Sequence, residues 1–399
     1  MNSSQQRFKR YALGFLAWLA FGLGAVVAFG VVTDPYAFSW PHRHLDPAFR
    51  ENDLEVRMNI VSQLQPDVLL LGNSRAQHGL DPHNGVFGNQ RVFNAAIVGG
   101  KPGDFVPLVT IAEQNHPLKM IVIGMDFNML YSGAERRIPN ENLLRRNGPF
   151  AALARIRANL SVDALWASSV EILRYFRGTD HVIDKDGRLL EPLYQHDIVA
   201  RGGTLAAVRQ RDAAALLQMK EIPSDSFLQD LNSILNTACG NGTQLILFFS
   251  PTHARQLEVI EQAGEWNEFV MWKRSVMELA NSKPGCNIQL WDFARHSKVT
   301  EEPVPESGPM RYYWESSHYR KVVGDAILTA TVGAQTDPRT WQAEFGDDFR
   351  GDFGERLTAS NFLESMRRQD AAREAWRSAN PAVVSDVGSL KQSATSSGE

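Results

Sequence analysis

The apolar positions of this chain begin with one long run, from Ala12 to Val32, that contains no charged residue. About 20 apolar residues in a helix span the core of a bilayer, so this run predicts a transmembrane helix. The basic residues that precede it are Arg7, Lys9 and Arg10. By the positive-inside rule, they keep residues 1–11 cytoplasmic and place everything after Thr33 on the other side. The alternative, a cleaved signal peptide, normally has an apolar region of only about 7 to 15 residues.

Five shorter apolar runs follow, each bounded by turn residues. They are Asp67 to Leu71, Arg91 to Ala95, Met120 to Gly124, Gln244 to Phe249 and Ile288 to Trp291. Their length and lack of alternation predict strands that are covered on both faces. The helix-compatible stretches between them are Phe105 to Gln114, Asp225 to Thr237 and Arg255 to Ala280. This alternation predicts a three-layer α/β/α fold with a five-stranded, parallel, doubly wound sheet, in which ligands bind at the carboxyl ends of the strands.

The predicted domain organisation follows from where this alternation starts, stops and is interrupted. In chain order we expect a cytoplasmic tail (1–11), a transmembrane helix (12–32), a juxtamembrane linker (33–65), an α/β domain (66–333) and a C-terminal extension (334–399). The domain is interrupted at 130–224 by an insertion rich in Arg, Ala and Leu, which we interpret as mostly helical. Long insertions usually carry structure or function, so this one is either a lid or a decoration without a role in chemistry. The extension ends in a Ser-rich segment, 393–399, that we predict to be disordered.

The overall composition is ordinary for a globular protein. Hydrophobic residues make up 43% and charged residues 22%, and the formal net charge of -4 gives no electrostatic reason to propose nucleic acid as a partner. The two cysteines, Cys239 and Cys286, have neither metal-binding nor redox-motif spacing. We expect two free buried thiols, although an oxidising compartment would allow them to pair. With no histidine pair at metal spacing and no phosphate-binding loop, we expect no metal and no cofactor.

Polar residues and a glycine follow several of the predicted strands and thus belong to one edge of the sheet. They are Ser74 after the first strand, Gly99 after the second, Asp126 and Asn128 after the third, and Glu315 with His318 near the end of the domain. A serine hydroxyl becomes a nucleophile when a histidine takes its proton and a carboxylate orients the imidazole. A glycine allows a backbone N–H to approach an oxyanion. Ser74 by itself is equally typical of a helix N-cap.

These segments, in this order, resemble the SGNH (GDSL-like) hydrolase superfamily, in particular its membrane-anchored branch linked to exopolysaccharide acetylation. The matching segments are Gly72-Asn73-Ser74, Asn94 to Gly99, Gly124-Met125-Asp126 and Glu315 to His318. The resemblance implies that Ser74 is the nucleophile, that His318 is its general base and that Glu315 orients the imidazole. It also implies an oxyanion hole formed by the backbone N–H groups of Ser74 and Gly99 together with an Asn side chain.

Three residues depart from the family pattern: Asn73 and Glu315 stand where Asp is common, and Asp126 stands where the family has the oxyanion-binding Asn. Asn73 is tolerable because that side chain is not the nucleophile, and the extra methylene of Glu315 has to be accommodated locally. Asp126 is the serious departure, because an ionised carboxylate accepts hydrogen bonds and donates none. Either Asn128 substitutes for it, Asp126 is protonated or oriented differently, or the oxyanion hole is weak.

The resemblance implies ester chemistry through an acyl-serine on an acylated cell-envelope carbohydrate, by hydrolysis or by O-acetyl transfer. It places the helix in an inner membrane and the domain in the periplasm. A transferase would require a multi-spanning membrane partner that delivers the acyl donor. The alternatives are a catalytically degenerate binding or scaffolding subunit of an envelope polysaccharide system, and a lipase or thioesterase.

Two further residues are candidates for substrate binding, Arg75 after the nucleophile segment and His253 after the fourth strand. Arg75, His78 and Asp81 each have an alternative interpretation as solvated surface, which we favour for each one singly. His253 is alternatively a loop or helix-start residue without contact to substrate.

Overall fold

The computed structural model describes residues 3–38, 53–131, 149–177, 183–221, 223, 226–333 and 345–396. They form two compact units. The first unit takes its described residues from 1–64 and 137–181, and the second takes them from 65–136 and 182–399. The helices of the first unit are α1 (Ser3–Thr33), α2 (Asp53–Leu64), α5 (Pro149–Asn159) and α6 (Val162–Arg177). Those of the second are α3 (Ser74–Gly79), α4 (Pro102–Asn115), α7 (Glu191–Ala200), α8 (Thr204–Gln218), α9 (Ser226–Gly240), α10 (Ala254–Ala263), α11 (Trp266–Asn281), α12 (Lys321–Thr331), α13 (Phe362–Ala379) and α14 (Pro381–Ser396).

The second unit is built on a six-stranded sheet. Its strands are β1 (Val68–Leu71), β2 (Val92–Asn94), β3 (Met120–Met125), β4 (Gln244–Phe249), β5 (Ile288–Asp292) and β6 (Glu355–Leu357), in the spatial order β2-β1-β3-β4-β5-β6. The first five strands are parallel and match the five predicted runs. Consecutive residues of β1 and β3 are all buried, so both faces of the sheet are covered there, which explains the unbroken apolar runs.

The sixth strand was not predicted, and the expected count of five is therefore wrong. β6 is antiparallel to β5, and Leu357 pairs with Leu290. Its sequence, Glu-Arg-Leu, is short and mostly polar, as expected at the edge of a sheet, so it carries no apolar run that marks a strand. The C-terminal extension, expected to lie outside the α/β domain, thus completes its sheet.

The helices agree with the predicted stretches except at Gly264 and near the C-terminal end. Gly264, with a φ of 87°, ends α10 and separates it from α11 within the stretch predicted at Arg255 to Ala280. The last helix, α14, continues to Ser396, four residues into the segment predicted to be disordered, and 397–399 lie outside the described residues. The predicted linker at 33–65 contains α2, in which Asn59 donates a hydrogen bond to the carbonyl oxygen of Tyr36.

In the part of the chain that the structure describes, the insertion between β3 and β4 consists mostly of helices, but these do not form one body. Its first part, α5 and α6, belongs to the first unit, and its second part, α7 and α8, belongs to the second. The polar turn around Asp184 docks on the sheet, because the N–H of Asn94 in β2 donates to the carbonyl oxygen of Asp186 at 2.8 Å. Gly187 has a φ of 91°, and a Cβ there would lie 2.0 Å from the carbonyl oxygen of Asn94.

The two cysteines form a disulfide, which corrects the expectation of free thiols. Cys239 lies at the end of α9 and Cys286 just before β5, and their Cα atoms are 5.3 Å apart. The spacing of 47 residues along the chain gave no sign of this pairing, because it depends on α9 ending beside the start of β5.

Candidate active site

The nucleophile candidate lies at the turn between β1 and α3. Gly72 has a φ of 150°, and a Cβ there would lie 2.6 Å from the side chain of Ala76. Asn73 is the N-cap of α3, and its side chain accepts a hydrogen bond from the backbone N–H of Arg75 at 2.9 Å. Ser74 is therefore the first residue of the helix and not its cap, so its hydroxyl is not needed for capping.

His318 meets Ser74 across the edge of the sheet. The Oγ atom of Ser74 lies 2.7 Å from Nε2 of His318, a hydrogen-bond distance. His318 is held in a narrow loop from Tyr313 to Tyr319, the catalytic loop of the candidate site, because the N–H of Trp314 donates to its carbonyl oxygen at 2.9 Å and Tyr313 bridges Tyr319. Within this loop Nδ1 of His318 contacts Oε1 of Glu315 in a short hydrogen bond. The structure thus brings together the three residues that were predicted as nucleophile, base and orienting carboxylate.

Glu315 is fully buried, and its longer side chain is accommodated by local hydrogen bonds. Its Oε2 accepts from the backbone N–H of Ser317 at 2.7 Å, while its Oε1 faces His318. Burial raises the pKa of Glu315, but the charge and hydrogen bond of His318, the charge of Arg211 and the N–H of Ser317 outweigh it and lower the pKa to about 2. Glu315 is consequently ionised at neutral pH.

The electrostatic environment keeps His318 neutral. Burial lowers the pKa of His318, and Glu315 raises it but does not compensate fully. A neutral imidazole with its proton on Nδ1 donates to Glu315 and leaves the lone pair of Nε2 to accept the proton of Ser74. This tautomer is the one that a general base requires.

Two side chains from the second part of the insertion complete the surroundings of Glu315. The hydroxyl of Tyr194, in α7, donates to Oε1 of Glu315 at 3.1 Å and lies 2.8 Å from Nδ1 of His318. Nε of Arg211, in α8, lies 3.6 Å from the same carboxylate oxygen. Sequence reasoning missed both residues, because neither lies in a motif and only tertiary packing brings α7 and α8 to the catalytic loop.

His78 supports the imidazole from the nucleophile side. Its ring contacts the rings of His318 and Tyr194 edge to face, with centroids 5.1 Å and 4.4 Å apart. Burial is the main reason that the pKa of His78 lies well below its usual value of 6.5. The interpretation of Arg75, His78 and Asp81 as solvated surface is wrong, since all three side chains are buried.

Asp126 does not occupy the role of the oxyanion-binding Asn. Nη1 of Arg75 donates to Oδ1 of Asp126 in a buried ion pair, and Nε of Arg75 donates to Oγ of Ser317 at 3.1 Å. The Asp126 carboxylate thus faces the guanidinium group of Arg75, which corresponds to the different orientation that the sequence left open. Asn128 contacts the nucleophile segment, because Nδ2 of Asn73 donates to its Oδ1 at 3.4 Å.

Gly99 lies in a turn that is joined to the nucleophile segment. The N–H of Gly100 donates to the carbonyl oxygen of Ile97 at 2.8 Å, and the N–H of Ile97 donates to the carbonyl oxygen of Gly72 at 3.0 Å. Gly99 has a φ of 63° and is exposed, which suits a glycine at the third position of such a turn. Its N–H stays a predicted oxyanion donor.

His253 is a helix cap and not the substrate contact that we considered. Its Nδ1 accepts from the backbone N–H of Arg255 at 3.2 Å, and its Nε2 donates to the carbonyl oxygen of Glu302 at 2.8 Å. Burial is the main reason that the pKa of His253 falls to about 4. Both ring nitrogens are occupied, so neither is available to a ligand.

A small pocket adjoins the catalytic loop. Its polar lining includes Arg75, Asn128, Arg211, Gln218, Gln256 and Ser317. Arg75 and Ser317 in its lining are the sequence neighbours of Ser74 and His318, whereas Ser74 and His318 themselves do not line it. Of the two predicted substrate-binding residues, Arg75 lines this pocket and His253 does not.

No family model, curated protein or solved structure matches this chain. The chemistry of the site therefore rests on its geometry.

Proposed function

We propose that this chain is a membrane-anchored serine esterase or O-acyltransferase of SGNH type, with a three-layer α/β/α domain, acting on an acylated cell-envelope carbohydrate. The 2.7 Å contact between Ser74 Oγ and His318 Nε2, with Glu315 on the opposite nitrogen, carries the proposal. A hydroxyl, an imidazole and an ionised carboxylate in this order are the parts of an acyl-transfer site.

In the first half of the reaction, Oγ of Ser74 attacks the carbonyl carbon of the ester while Nε2 of His318 takes its proton. The imidazolium is stabilised by ionised Glu315, whose low pKa keeps it negative. His318 then gives the proton to the leaving alcohol oxygen, the bond to that oxygen breaks, and the acyl group stays on Ser74. In the second half, His318 takes a proton from water or a sugar hydroxyl, whose oxygen attacks the carbonyl carbon of the acyl-serine. His318 then returns the proton to Oγ of Ser74 as the bond between Oγ and the acyl group breaks, which restores the free serine.

The negative oxygen of the tetrahedral intermediate needs hydrogen-bond donors. We assign the backbone N–H groups of Ser74 and Gly99 and the amide group of Asn128 to this role. The oxygen of the Asn128 amide faces Asn73, which leaves its NH₂ group as the available donor. Asp126 is excluded from this role, because its carboxylate pairs with Arg75.

Two observations favour the substrate class and the location. The pocket beside the catalytic loop carries amide, hydroxyl and guanidinium groups alongside the apolar side chains of Phe127, Met219 and Ile260, and these polar groups suit a hydroxylated substrate. The Cys239–Cys286 disulfide is typical of an oxidising compartment such as the periplasm. Among the described residues, α1 is the one helix long and apolar enough to cross a membrane, in keeping with an inner-membrane anchor.

A fluorophosphonate probe tests this proposal on the full-length chain in detergent. We expect the wild type to be labelled covalently at Ser74, and both Ser74→Ala and His318→Ala to lose the label, because the first has no nucleophile and the second has no base. Ser250→Ala is the matched control, since this buried serine follows β4 at the same edge of the sheet and has no hydrogen bond with His318, whose ring nitrogens face Ser74, Tyr194 and Glu315.

Labelling that persists in Ser74→Ala would assign the reactivity to another residue and remove the proposed mechanism. An unlabelled wild type with the same unfolding temperature as Ser74→Ala would favour a non-catalytic envelope subunit. If labelling succeeds, release of acetate from acetylated oligosaccharides, with and without a free acceptor sugar, separates hydrolysis from transfer.

A further inference from the structure

Helix α6 in the first unit has the reverse of the usual distribution of side chains. The residues on its buried face are small or polar: Ala164, Ala167, Ser168 and Glu171. Its exposed face carries large apolar residues at helical spacing, namely Val162, Trp166, Leu173 and Phe176. Trp166 is 65% exposed and Phe176 is 79% exposed. A helix of a water-soluble domain buries such residues, so this face requires an apolar partner.

The preceding helix, α5, continues this apolar surface. Its exposed large residues are Leu153 and Ile156, and Leu160, directly after the helix, is exposed as well, at spacings of three and four. Each of the two helices also has a basic residue with an exposed side chain, Arg157 in α5 and Arg177 in α6. An apolar face with neighbouring Arg is typical of helices that lie in a membrane interface, where the guanidinium groups reach the lipid phosphates.

The same two helices pack against the end of α1. A Cβ at Gly30 would lie 2.6 Å from Oδ1 of Asn159, so α1 and the end of α5 approach each other closely. Thr33 and Ser168 share a hydrogen bond of 2.7 Å between their hydroxyl groups. The face of α1 that includes Gly30 and Thr33 is buried, whereas most of the helix before Val26 is exposed.

These contacts fix the depth, relative to α1, of the helical hairpin that α5 and α6 form. Gly30 lies inside the apolar run from Ala12 to Val32, so a neighbour of Gly30 lies at the edge of the hydrocarbon layer if α1 spans a bilayer. Tyr36 contacts Ser161 and Thr33 contacts Ser168. Residues later in α6 are thus paired with residues earlier in α1, so the two helices run antiparallel. The later turns of α6, with Leu173 and Phe176, therefore continue toward the apolar part of α1 and not away from it.

We propose that the hairpin of α5 and α6 is a second membrane-contacting element, which inserts its exposed apolar face into the phospholipid interface beside α1. This inference rests on the proposed anchoring by α1 and adds to it. It assigns the first part of the insertion to membrane attachment, separate from the second part, which supplies Tyr194 and Arg211 to the catalytic loop.

The depth of single spin labels tests the proposal on the full-length chain in phosphatidylcholine–phosphatidylglycerol vesicles. The two native cysteines are paired, so one introduced cysteine is the free thiol to which the label attaches. Trp166→Cys and Phe176→Cys probe the hairpin. Leu19→Cys in α1 is the control inside the bilayer, and Met271→Cys in α11, an exposed apolar residue of the second unit, is the control in water.

The readout is the collision rate of each nitroxide with lipid-soluble oxygen, divided by that with a water-soluble nickel chelate. We expect this ratio to be several-fold higher at positions 166 and 176 than at 271, in the direction of position 19. Ratios at 166 and 176 equal to that at 271, with position 19 embedded, would overturn the hairpin proposal and leave the anchor intact. Protection of 166 and 176 from both reagents would indicate a protein partner and also overturn it, and a water-accessible position 19 would remove the anchor itself.

Discussion

The charge state of the catalytic loop depends on a residue far away in sequence. Glu315 accepts hydrogen bonds from the Ser317 N–H and the Tyr194 hydroxyl, and Arg211 adds a positive charge at 3.6 Å. Arg211 lowers the pKa of Glu315 and also lowers the pKa of His318. Its charge thus favours a carboxylate that is always ionised and a base that stays neutral below the usual histidine pKa. Arg211 is therefore a positioning residue that acts through Glu315 and His318.

Arg211→Gln should shift the pH profile of probe labelling to higher pH. Only neutral His318 accepts the proton of Ser74, so labelling rises as pH passes the pKa of His318, which lies below the usual 6.5 in the wild type. Removing the positive charge raises that pKa and moves the midpoint to higher pH. Labelling rates measured from pH 4 to 9 report this midpoint. Arg209→Gln, on the same helix but paired with Asp386, should keep the wild-type midpoint, and equal midpoints in all three proteins would contradict the role of Arg211.

The meeting of Ser74 and His318 depends on how closely two helices approach each other. α3 begins at Ser74, and α12 begins three residues after His318. A Cβ at Gly324 of α12 would lie 1.9 Å from the carbonyl oxygen of Gly79 in α3, and a Cβ at Gly79 would meet the ring of Tyr319 at the same distance. Glycine at both positions allows backbone to pack on backbone, which is why the serine and the histidine come within hydrogen-bond reach.

Gly324→Ala should separate these helices. The added methyl group overlaps the backbone of α3, which cannot rotate away as a side chain does, so we expect a loss of about 1–3 kcal/mol in the free energy of unfolding. The labelling rate of Ser74 should fall with it, because the 2.7 Å contact lengthens. Thermal unfolding and probe labelling measure the two effects. Gly240→Ala, also in a helix but with no atom within 4 Å of the new Cβ, is the control, and a Gly324→Ala protein that matches it would refute the packing account.

At the scale of the whole molecule, segments far apart in the chain stabilise the second unit. Lys273 of α11 is fully buried and donates to both carboxylate oxygens of Asp292, at the end of β5, and to Gln369 of α13. The extension thus supplies an edge strand and also a hydrogen-bond partner for a buried charge. The disulfide ties α9 to the segment before β5. In contrast, the first unit gathers α1, α2 and the first part of the insertion.

Removing the disulfide should destabilise the second unit without abolishing its chemistry. The bridge closes a loop of 47 residues, for which the chain-entropy model gives a contribution of roughly 3–5 kcal/mol. We expect the double variant Cys239→Ala/Cys286→Ala to lose about this free energy of unfolding in chemical denaturation while Ser74 still reacts with the probe. Reduction of the wild type should produce the same loss, and reductant should leave the double variant unchanged. Equal stability of oxidised and reduced wild type would show that the bridge contributes nothing.

The sequence by itself determined the features that depend on local patterns. The apolar run of α1, the five parallel strands and the short spacing from Glu315 to His318 were all visible in it, because buried strands are continuously apolar and a three-residue spacing places an acid and a base on one loop. Tertiary structure decided the rest. The pairing of Asp126 with Arg75, the burial of His253, the cysteine bridge, the polar edge strand β6 and the arrival of Tyr194 and Arg211 at Glu315 all depend on segments that are distant in sequence. Packing brings such segments together through long-range contacts, and a local sequence pattern does not indicate these.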